Sequence, residues 1–225
     1  MNFQQIVAKL KLESGRQGAA PASPSTSTKD DSRLWGWVGD EWESLQTRGV
    51  MWRFLREARA ITTVVGAQAY AQSTIGGEFQ KPWPATEIDS YRARAVDGDT
   101  WYWMRSELSY DNFMREFVPG HAPGAPVAYA MAPDGSILLG PTPDRVMTVH
   151  LDVVRAPAVM TEAGDVPTGL PVQHRKLLAW GALKRLAIDD GAGELLGRAN
   201  TEFSEAWERL WQDQGPTISF DRRSL

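Results

Sequence analysis

The chain has 225 residues and a formal net charge of −4, which suits one large domain or two small ones and lacks the basic character of nucleic-acid-binding proteins. It contains no cysteine, which excludes disulfides, thiolate metal sites and cysteine nucleophiles. No apolar run reaches the roughly 18 residues of a membrane span. The apolar run at the N-terminus is too short for a signal peptide and is broken by Lys9 and Lys11. We therefore expect a protein that is made and used in a cytoplasm without a targeting signal.

Ten tryptophans are many for a chain of this length. They fit a well-anchored hydrophobic core, because each large buried side chain contributes roughly 1.5–3 kcal/mol. They also fit contacts between subunits, where aromatic residues are enriched. The sequence leaves both interpretations open.

The N-terminal part predicts two helices separated by a polar segment. Residues 2–13 form a short amphipathic helix, with Phe3 and Leu10 on its apolar side. Residues 15–30 are rich in small residues and proline, which cannot bury enough surface to offset the entropy of ordering. This segment is either a flexible loop or one that orders only against a partner.

The second helix covers residues 31–48 and is the one we expect to pack on the C-terminal helices. Any residue of the Asp–Asp–Ser run at 30–32 can cap its start. Gly36 and Gly39 weaken it by about 1 kcal/mol each relative to alanine, and we expect them to allow another helix to approach closely. Its apolar residues recur at helical spacing: Leu34, Val38, Trp42 and Leu45.

From about residue 52 the pattern changes to strands and turns. The β-branched run at 61–65 predicts a strand, followed by a turn into 69–72. The segments 91–96 and 99–104 flank Asp97–Gly98, a pair that tolerates the positive φ of a tight hairpin turn.

The rest of the middle region continues this pattern. Ser109 or Asp111 can cap a short helix that ends near Phe117. A second hairpin is predicted around Pro133–Gly135, and residues 146–154 alternate between apolar and polar side chains as a half-buried strand does.

The C-terminal stretch predicts two helices joined at a glycine. The first opens at Pro171, a favoured first residue because its missing N–H is not needed there. Gly191 suits a left-handed cap at its end. The second helix is strongly amphipathic and is stopped by Gly215–Pro216. A helix pair of this kind cannot cover its own apolar surface, so it requires the upstream helix at 31–48.

Candidate catalytic and metal-binding residues are almost absent. His121, His150 and His174 have no metal-ligand spacing and are interpreted as three separate surface residues. The Asp189–Asp190 pair beside Glu194 is interpreted as a solvated helix corner. No phosphate-binding, dinucleotide-binding or nucleophile motif occurs. We therefore predict no enzyme, no cofactor and no metal site.

Five segments follow one another in a characteristic order: LWGWVGDEWESLQTRGVMWRFL, VDGDTWYW, SYDNFMREF, PVAYAMAPDGSILLGPTPDRVMTVHLDVVRAP and DVPTGLPVQHRKLLAWGALKRLAIDD. The most specific parts are the hairpin with its following strand and the helix that opens after Leu170–Pro171. This order resembles the head-to-tail adaptor proteins of tailed bacteriophages, also called connector or head-completion proteins. The resemblance covers nearly the whole chain.

The resemblance implies an α+β fold in which a helical bundle carries an inserted antiparallel β subdomain. It also implies a structural virion protein of the neck, assembled in the host cytoplasm, with no membrane association. Such a protein forms a homo-dodecameric ring beneath the portal protein, extends the DNA channel and docks a downstream tail or neck protein. Packaged DNA passes through without sequence-specific binding.

The expected organisation has four segments. Residues 1–50 hold the N-terminal helices, 51–160 the β-rich insert, 161–214 the C-terminal helix pair and 215–225 an extended tail. The resemblance assigns the bundle core to Val38, Trp42, Leu45, Leu178, Trp180, Leu186, Phe203, Trp207 and Leu210. It assigns docking to the portal or to a neighbouring subunit to Ile218, Phe220, Arg222, Arg223 and Leu225.

Two other functions remain open on the sequence alone. The chain could be another neck or tail protein, such as a gatekeeper or a terminator, although a long C-terminal helix pair is unlike a mostly β tube protein. A small hydrolase is the least favoured reading, because it requires a convergent polar cluster that the sequence does not reveal.

Overall fold

The computed structural model describes residues 1–17, 22–83, 93–98, 100–104, 108–117 and 121–216. Helices and antiparallel sheets both occur, so the predicted α+β class is confirmed. Three short 3-10 turns accompany them, at Arg53–Leu55, Gln72–Ile75 and Val172–His174. The helices and strands, in chain order, are α1 (Phe3–Glu13), α2 (Lys29–Thr47), β1 (Arg56–Thr62), β2 (Ala69–Tyr70), β3 (Phe79–Pro82), β4 (Ala93–Asp97), β5 (Thr100–Trp103), α3 (Tyr110–Phe117), β6 (Ala128–Met131), β7 (Ile137–Gly140), β8 (Thr148–Arg155), α4 (Lys176–Asp189) and α5 (Gly193–Gln214).

The described residues divide into two compact units. A helical unit contains Met1–Phe54 and Pro157–Pro216, and a β unit contains Leu55–Ala156. The helical unit is therefore built from two stretches of the chain, and the described residues of the β unit lie between them in the sequence.

In the helical unit, α4 is the central helix, because it contacts α1, α2 and α5. Most of its residues are buried, including Trp180, Gly181 and Leu186. The helix ends in a Schellman motif, with Gly191 in the left-handed conformation at φ +64°. The N–H of Gly191 donates to the Ile188 carbonyl, and the N–H of Ala192 donates to the Ala187 carbonyl. The predicted role of Gly191 is confirmed.

Two helix starts differ from prediction. The N-cap of α2 is Thr28, whose Oγ1 accepts from the N–H of Asp31 at 3.3 Å, and not one of residues 30–32. Asp30 and Asp31 lie instead in the first turn, where the helix dipole favours acidic side chains. After Pro171 the chain forms the 3-10 turn, and the α-helix begins only at Lys176.

The predicted close approach at Gly36 and Gly39 is wrong. A Cβ at Gly36 would meet nothing within 4 Å, and one at Gly39 would only touch the Phe3 ring at 4.0 Å. The tight glycine is Gly181 on α4, where an added Cβ would lie 2.5 Å from the Cγ and Cδ atoms of Glu41 on α2. At this point α2 and α4 pack together because the side chain of Glu41 occupies the space next to Gly181, where no Cβ is present.

The β unit has three layers. The larger sheet has the strand order β1–β8–β4–β5, with β3 also paired to β8, and the smaller sheet has the order β2–β7–β6. Apolar residues of both sheets, among them Ile61, Leu139 and Val149, form one core between them. On the other side of the smaller sheet, Phe113 and Phe117 of α3 pack against its alanines and leucine.

Both predicted hairpins are confirmed. Asp97 pairs with Thr100 across Gly98, which has φ +57°. β6 and β7 pair across a turn that contains Gly135 at φ +83°. Ser109 caps α3 by accepting from the N–H of Asn112 at 3.3 Å. Residues 91, 92 and 99 of the first predicted hairpin lie outside the described residues.

The predicted strand at 61–65 is displaced. β1 covers Arg56–Thr62, and the chain beyond it turns at Gly66, which has φ +80°. Beyond β1, the Thr63 hydroxyl bonds to the 145–147 segment, and Val64 and Val65 are exposed. The extended segment predicted at 69–72 is a strand of only two residues followed by a 3-10 turn.

Candidate interaction surfaces

The nine residues assigned to the bundle core all lie in the helical unit. Eight of them are buried, and Trp207 is half-buried on α5. The role assigned to them stays a prediction, since burial in one chain does not separate a bundle core from a surface later covered by a neighbour. The five predicted docking residues, Ile218, Phe220, Arg222, Arg223 and Leu225, lie outside the described residues.

An aromatic cluster around Trp52 joins the end of α2 to α5. The ring of Trp52 meets Trp207 and Trp211 edge-on, with centroids 5.2 and 5.7 Å apart, and stacks on Phe54 at 6.0 Å. Its indole N–H donates to the Leu45 carbonyl at 3.0 Å. Sequence reasoning missed Trp52 because it lies in an irregular segment, where no apolar period identifies a buried side.

Phe203 joins this cluster on α5 by stacking on Trp207, with ring centroids 6.0 Å apart, and two cations cover this part. The Arg48 guanidinium lies 5.1 Å from the Trp207 ring centroid, and the Lys184 ammonium lies 4.5 Å from that of Phe203. Such cation–π contacts contribute about 0.5–1 kcal/mol each at exposed sites. Trp211, at the end of the cluster, stays 41% exposed. The cluster thus reaches the surface of the isolated chain as an aromatic edge.

Glu41 is the charged group at the centre of the helical unit. It is 4% exposed, and its carboxylate lies 3.1 Å from Arg48 and 3.9 Å from Arg185. Burial raises the pKa of Glu41 above its usual value, although both arginines oppose the shift. Arg48 therefore forms an ion pair with Glu41 and a cation–π contact with the aromatic cluster at the same time, and Glu41 helps to hold it there.

A polar cleft of about 340 Å³ runs along α5 beside α1 and the start of α4. On its wall Trp180 is flanked by Lys9 and Arg198, each 5.7 Å from its ring. Glu13 forms ion pairs with both cations. Burial raises the pKa of Glu13, but the hydrogen bond and charge of Lys9 and the charge of Arg198 outweigh it and lower that pKa. The charges of Lys9 and Arg198 beside Trp180 are therefore both paired with the carboxylate of Glu13.

The three histidines are separate, as predicted, but His174 is not a surface residue. It is 8% exposed, and its Nε2 lies 2.6 Å from Asp213 Oδ2 on α5. This hydrogen bond lowers the pKa of Asp213. His174 is buried because the 3-10 turn, and not a regular first turn of α4, places it against α5. Among the described residues, no group of three or more His, Cys, Asp or Glu could hold a metal ion.

The two carboxylates at the end of α4, Asp189 and Asp190, are solvated as predicted and also form ion pairs with arginines. Arg33 of α2 lies 2.6 Å from Asp189, and Arg16 lies 2.9 Å from Asp190. All four side chains are more than a third exposed, so each pair contributes little to stability. No helix in the described parts of the chain has the length and apolar character needed to cross a membrane.

Comparison with known proteins identifies one family. The family model described as SU10 adaptor protein matches residues 1–223. No curated protein matches the chain.

Proposed function

Because the chain belongs to the SU10 adaptor protein family, a family of phage adaptor proteins, we propose that it forms a ring beneath the portal of the virion. In this position the ring extends the DNA channel and docks the next tail or neck component. The family is a structural one and not an enzyme family. The observation that carries the proposal is the family match over residues 1–223, which includes both the helical unit and the β unit.

The chain organisation supports a subunit held by its neighbours. We propose that segments 1–50 and 161–214 form the bundle, that 51–160 is carried as an insert, and that 215–225 reaches the portal or an adjacent copy. In support, the helical unit takes its helices from the two ends of the chain. Closing a long loop over an insert costs little more than closing a short one, because the cost grows slowly with length.

The proposed contact between copies involves the aromatic edge of α5. Trp211 is 41% exposed although it is a large aromatic side chain, and Trp207 beside it is half-buried. Aromatic residues of this kind are enriched where subunits meet. A head-to-tail contact of one surface with a different surface closes into a ring when its rotation closes. We propose a dodecameric ring, which matches the symmetry of the portal.

The proposed ring does not bind DNA by sequence. The net charge of −4 offers no overall attraction for the phosphate backbone, and an acidic channel wall would keep DNA from sticking as it passes. A free subunit is proposed to remain monomeric and to gain its partners on the portal.

The test is to mix purified portal protein with the purified chain and to measure the mass of the complex by native mass spectrometry. The expected result is one portal assembly carrying twelve copies of the chain, while the chain alone is a monomer. A portal that stays bare at saturating concentrations would contradict the proposal.

A further inference from the structure

The larger sheet of the β unit has two edge strands, and each has a partner on one side only. The strand order is β1–β8–β4–β5, so β1 and β5 lie at the two ends. β1 pairs with β8 from Arg56 to Thr62, and no described segment pairs with its other side. Among the described strands, β5 pairs with β4 alone. An unpaired strand edge offers a row of N–H and C=O groups to another strand.

The hydrogen bonds beside β8 show which backbone groups of β1 face the open edge. The N–H of Thr63, directly after β1, donates to the Met147 carbonyl at 2.8 Å, so the odd-numbered residues of β1 face β8. In an antiparallel ladder, the direction of these groups alternates from one residue to the next. The N–H and C=O groups of Ala58, Ala60 and Thr62 therefore point away from β8.

The same alternation assigns the outward groups of β5. The N–H of Trp83 donates to the Asp152 carbonyl at 2.8 Å, so the even-numbered residues of β8 face away from β1 and toward β4. The even-numbered residues of β4 bond to them, so its odd-numbered residues bond to β5, among them the partner of Tyr102. Trp101 and Trp103, on either side of Tyr102, therefore turn their N–H and C=O groups outward.

The open edge of β1 lacks the features that keep strand edges from pairing, such as proline, lysine or a bulge. β1 has seven residues without proline or lysine, and its register with β8 is unbroken. Its charged residues Glu57 and Arg59 form an ion pair with each other at 3.3 Å. The residues whose backbone faces outward are small, and Ala58, Ala60 and Thr62 are all exposed. A second strand therefore finds these backbone groups accessible.

The strand directions determine which edge fits against β1. All pairings in the larger sheet are antiparallel, so β1 and β5, at the two ends of four strands, run in opposite directions. A rotation about a ring axis that runs along the strands keeps the direction of every strand. β5 of the next copy therefore meets β1 antiparallel, and the alternation of the sheet continues. A contact of β1 with β1, in contrast, is isologous and closes after two copies.

We propose that β1 of each copy pairs with β5 of the next copy, so that the larger sheets of the ring form one continuous sheet. The inference rests on the proposed ring function and adds a second contact between copies to the aromatic edge of α5. Twelve sheets of four strands, spaced about 4.8 Å apart, form a closed wall at least about 70 Å in diameter. That width leaves an open channel even with the smaller sheet, about 10 Å away, inside the wall.

The contact is short, which agrees with a subunit that is monomeric when free. β5 has four residues, and only Trp101 and Trp103 offer outward backbone groups, so the pairing contains about four hydrogen bonds. Copies held side by side on a portal are at a high effective concentration, and weak pairing then suffices. The strands therefore pair on the portal and not between free copies.

The first experiment uses the absence of cysteine from the chain. The two registers within residues 58–62 that engage both Trp101 and Trp103 place one of them directly opposite Ala60. Such a pair has Cα atoms about 5.5 Å apart, within the range of a disulfide. The full chain is prepared as Ala60→Cys/Trp101→Cys and as Ala60→Cys/Trp103→Cys. Each variant is assembled on purified portal protein of the same phage, oxidised and separated on a denaturing, non-reducing gel.

One of the two double variants is expected to give a ladder of disulfide-linked oligomers of up to twelve copies, because each copy carries both halves of the contact. Ala60→Cys alone is expected to stay monomeric on the gel. The matched controls combine Ala71→Cys with Trp101→Cys or with Trp103→Cys. Ala71 is another exposed alanine of the β unit and lies outside β1, so no oligomers are expected.

The second experiment blocks the edge of β1. Ala60→Pro removes an outward N–H and places the proline ring in the path of the incoming strand, and an edge strand tolerates proline where its N–H faces solvent. The matched control is Ala71→Pro, at an exposed residue whose φ of −65° suits proline. In a native mass spectrometry titration, Ala60→Pro should bind the portal at least about tenfold more weakly, and Ala71→Pro as the wild type does.

Two double-cysteine variants that both attach to the portal and both stay monomeric on the gel overturn the inference. Dimers from Ala60→Cys alone also overturn it, since β1 then pairs with β1, and so do equal oligomers from the Ala71 controls. Folded Ala60→Pro that binds the portal as tightly as the wild type overturns it independently, also where a cysteine variant does not attach. Wild-type chain that leaves the portal bare refutes the ring function itself, and this measurement is made first.

Discussion

Glu41 packs over Gly181, so the effect of Gly181→Ala on the free energy of unfolding should change sign when Glu41 is removed. Gly181→Ala adds a Cβ that would lie 2.5 Å from Glu41 Cγ and Cδ and 2.8 Å from Oε1. Glu41 is 4% exposed and held by Arg48 and Arg185, so it has little room to move. Overpacking of this kind costs roughly 1–3 kcal/mol.

Against that cost, alanine is a better helix former than glycine by about 1 kcal/mol. We therefore expect Gly181→Ala to lower the free energy of unfolding by up to about 2 kcal/mol in the wild-type background. In the Glu41→Ala background the three nearest atoms are gone. The same substitution should there raise the free energy of unfolding by about 1 kcal/mol.

The measurement is urea unfolding followed by far-ultraviolet circular dichroism, on the wild type, both single variants and the double variant. Gly36→Ala is the control, because its Cβ would meet nothing within 4 Å and the substitution should simply stabilise α2. The reasoning is refuted if Gly181→Ala stabilises the wild type as much as it stabilises the Glu41→Ala protein.

Three further predictions concern stability and docking. Trp52→Ala should cost about 3–5 kcal/mol in urea unfolding because the side chain is fully buried, whereas the 41% exposed Trp211→Ala should cost clearly less; equal costs would contradict the central place of Trp52. The raised pKa of Glu41 means that its stabilising contribution is fully present below its ordinary value of 4.5 and is lost as pH rises through the folded-state pKa. Wild type should therefore lose stability relative to Glu41→Gln as the pH rises above about 4.5, and parallel pH profiles would refute this. Deletion of residues 216–225 should leave thermal unfolding unchanged and weaken attachment to portal-bearing heads; an unfolded product would assign that segment to the core instead.

The elements with local signals were predictable from the sequence. α1, α2 and α5 keep an apolar side at helical spacing, and α5 is stopped at Gly215. The turn at Asp97–Gly98 was predicted because few residues accept positive φ. In each case, the residues that determine the structure are neighbours in the chain.

The features that the sequence did not predict depend on contacts between distant residues or on a choice between equally suitable neighbours. Thr28 and the run at 30–32 are all good N-caps, and local preference does not choose between them. The contact of Gly181 with Glu41 joins residues far apart in the chain, so no spacing rule identifies it. The buried position of Trp52 depends on α5, which begins more than a hundred residues later.

The most direct test of the adaptor ring is a cryo-electron microscopy reconstruction of the mature phage neck. The account predicts twelve copies of this chain around the channel directly below the portal. Density for the chain elsewhere in the particle, or without rotational symmetry, would contradict it.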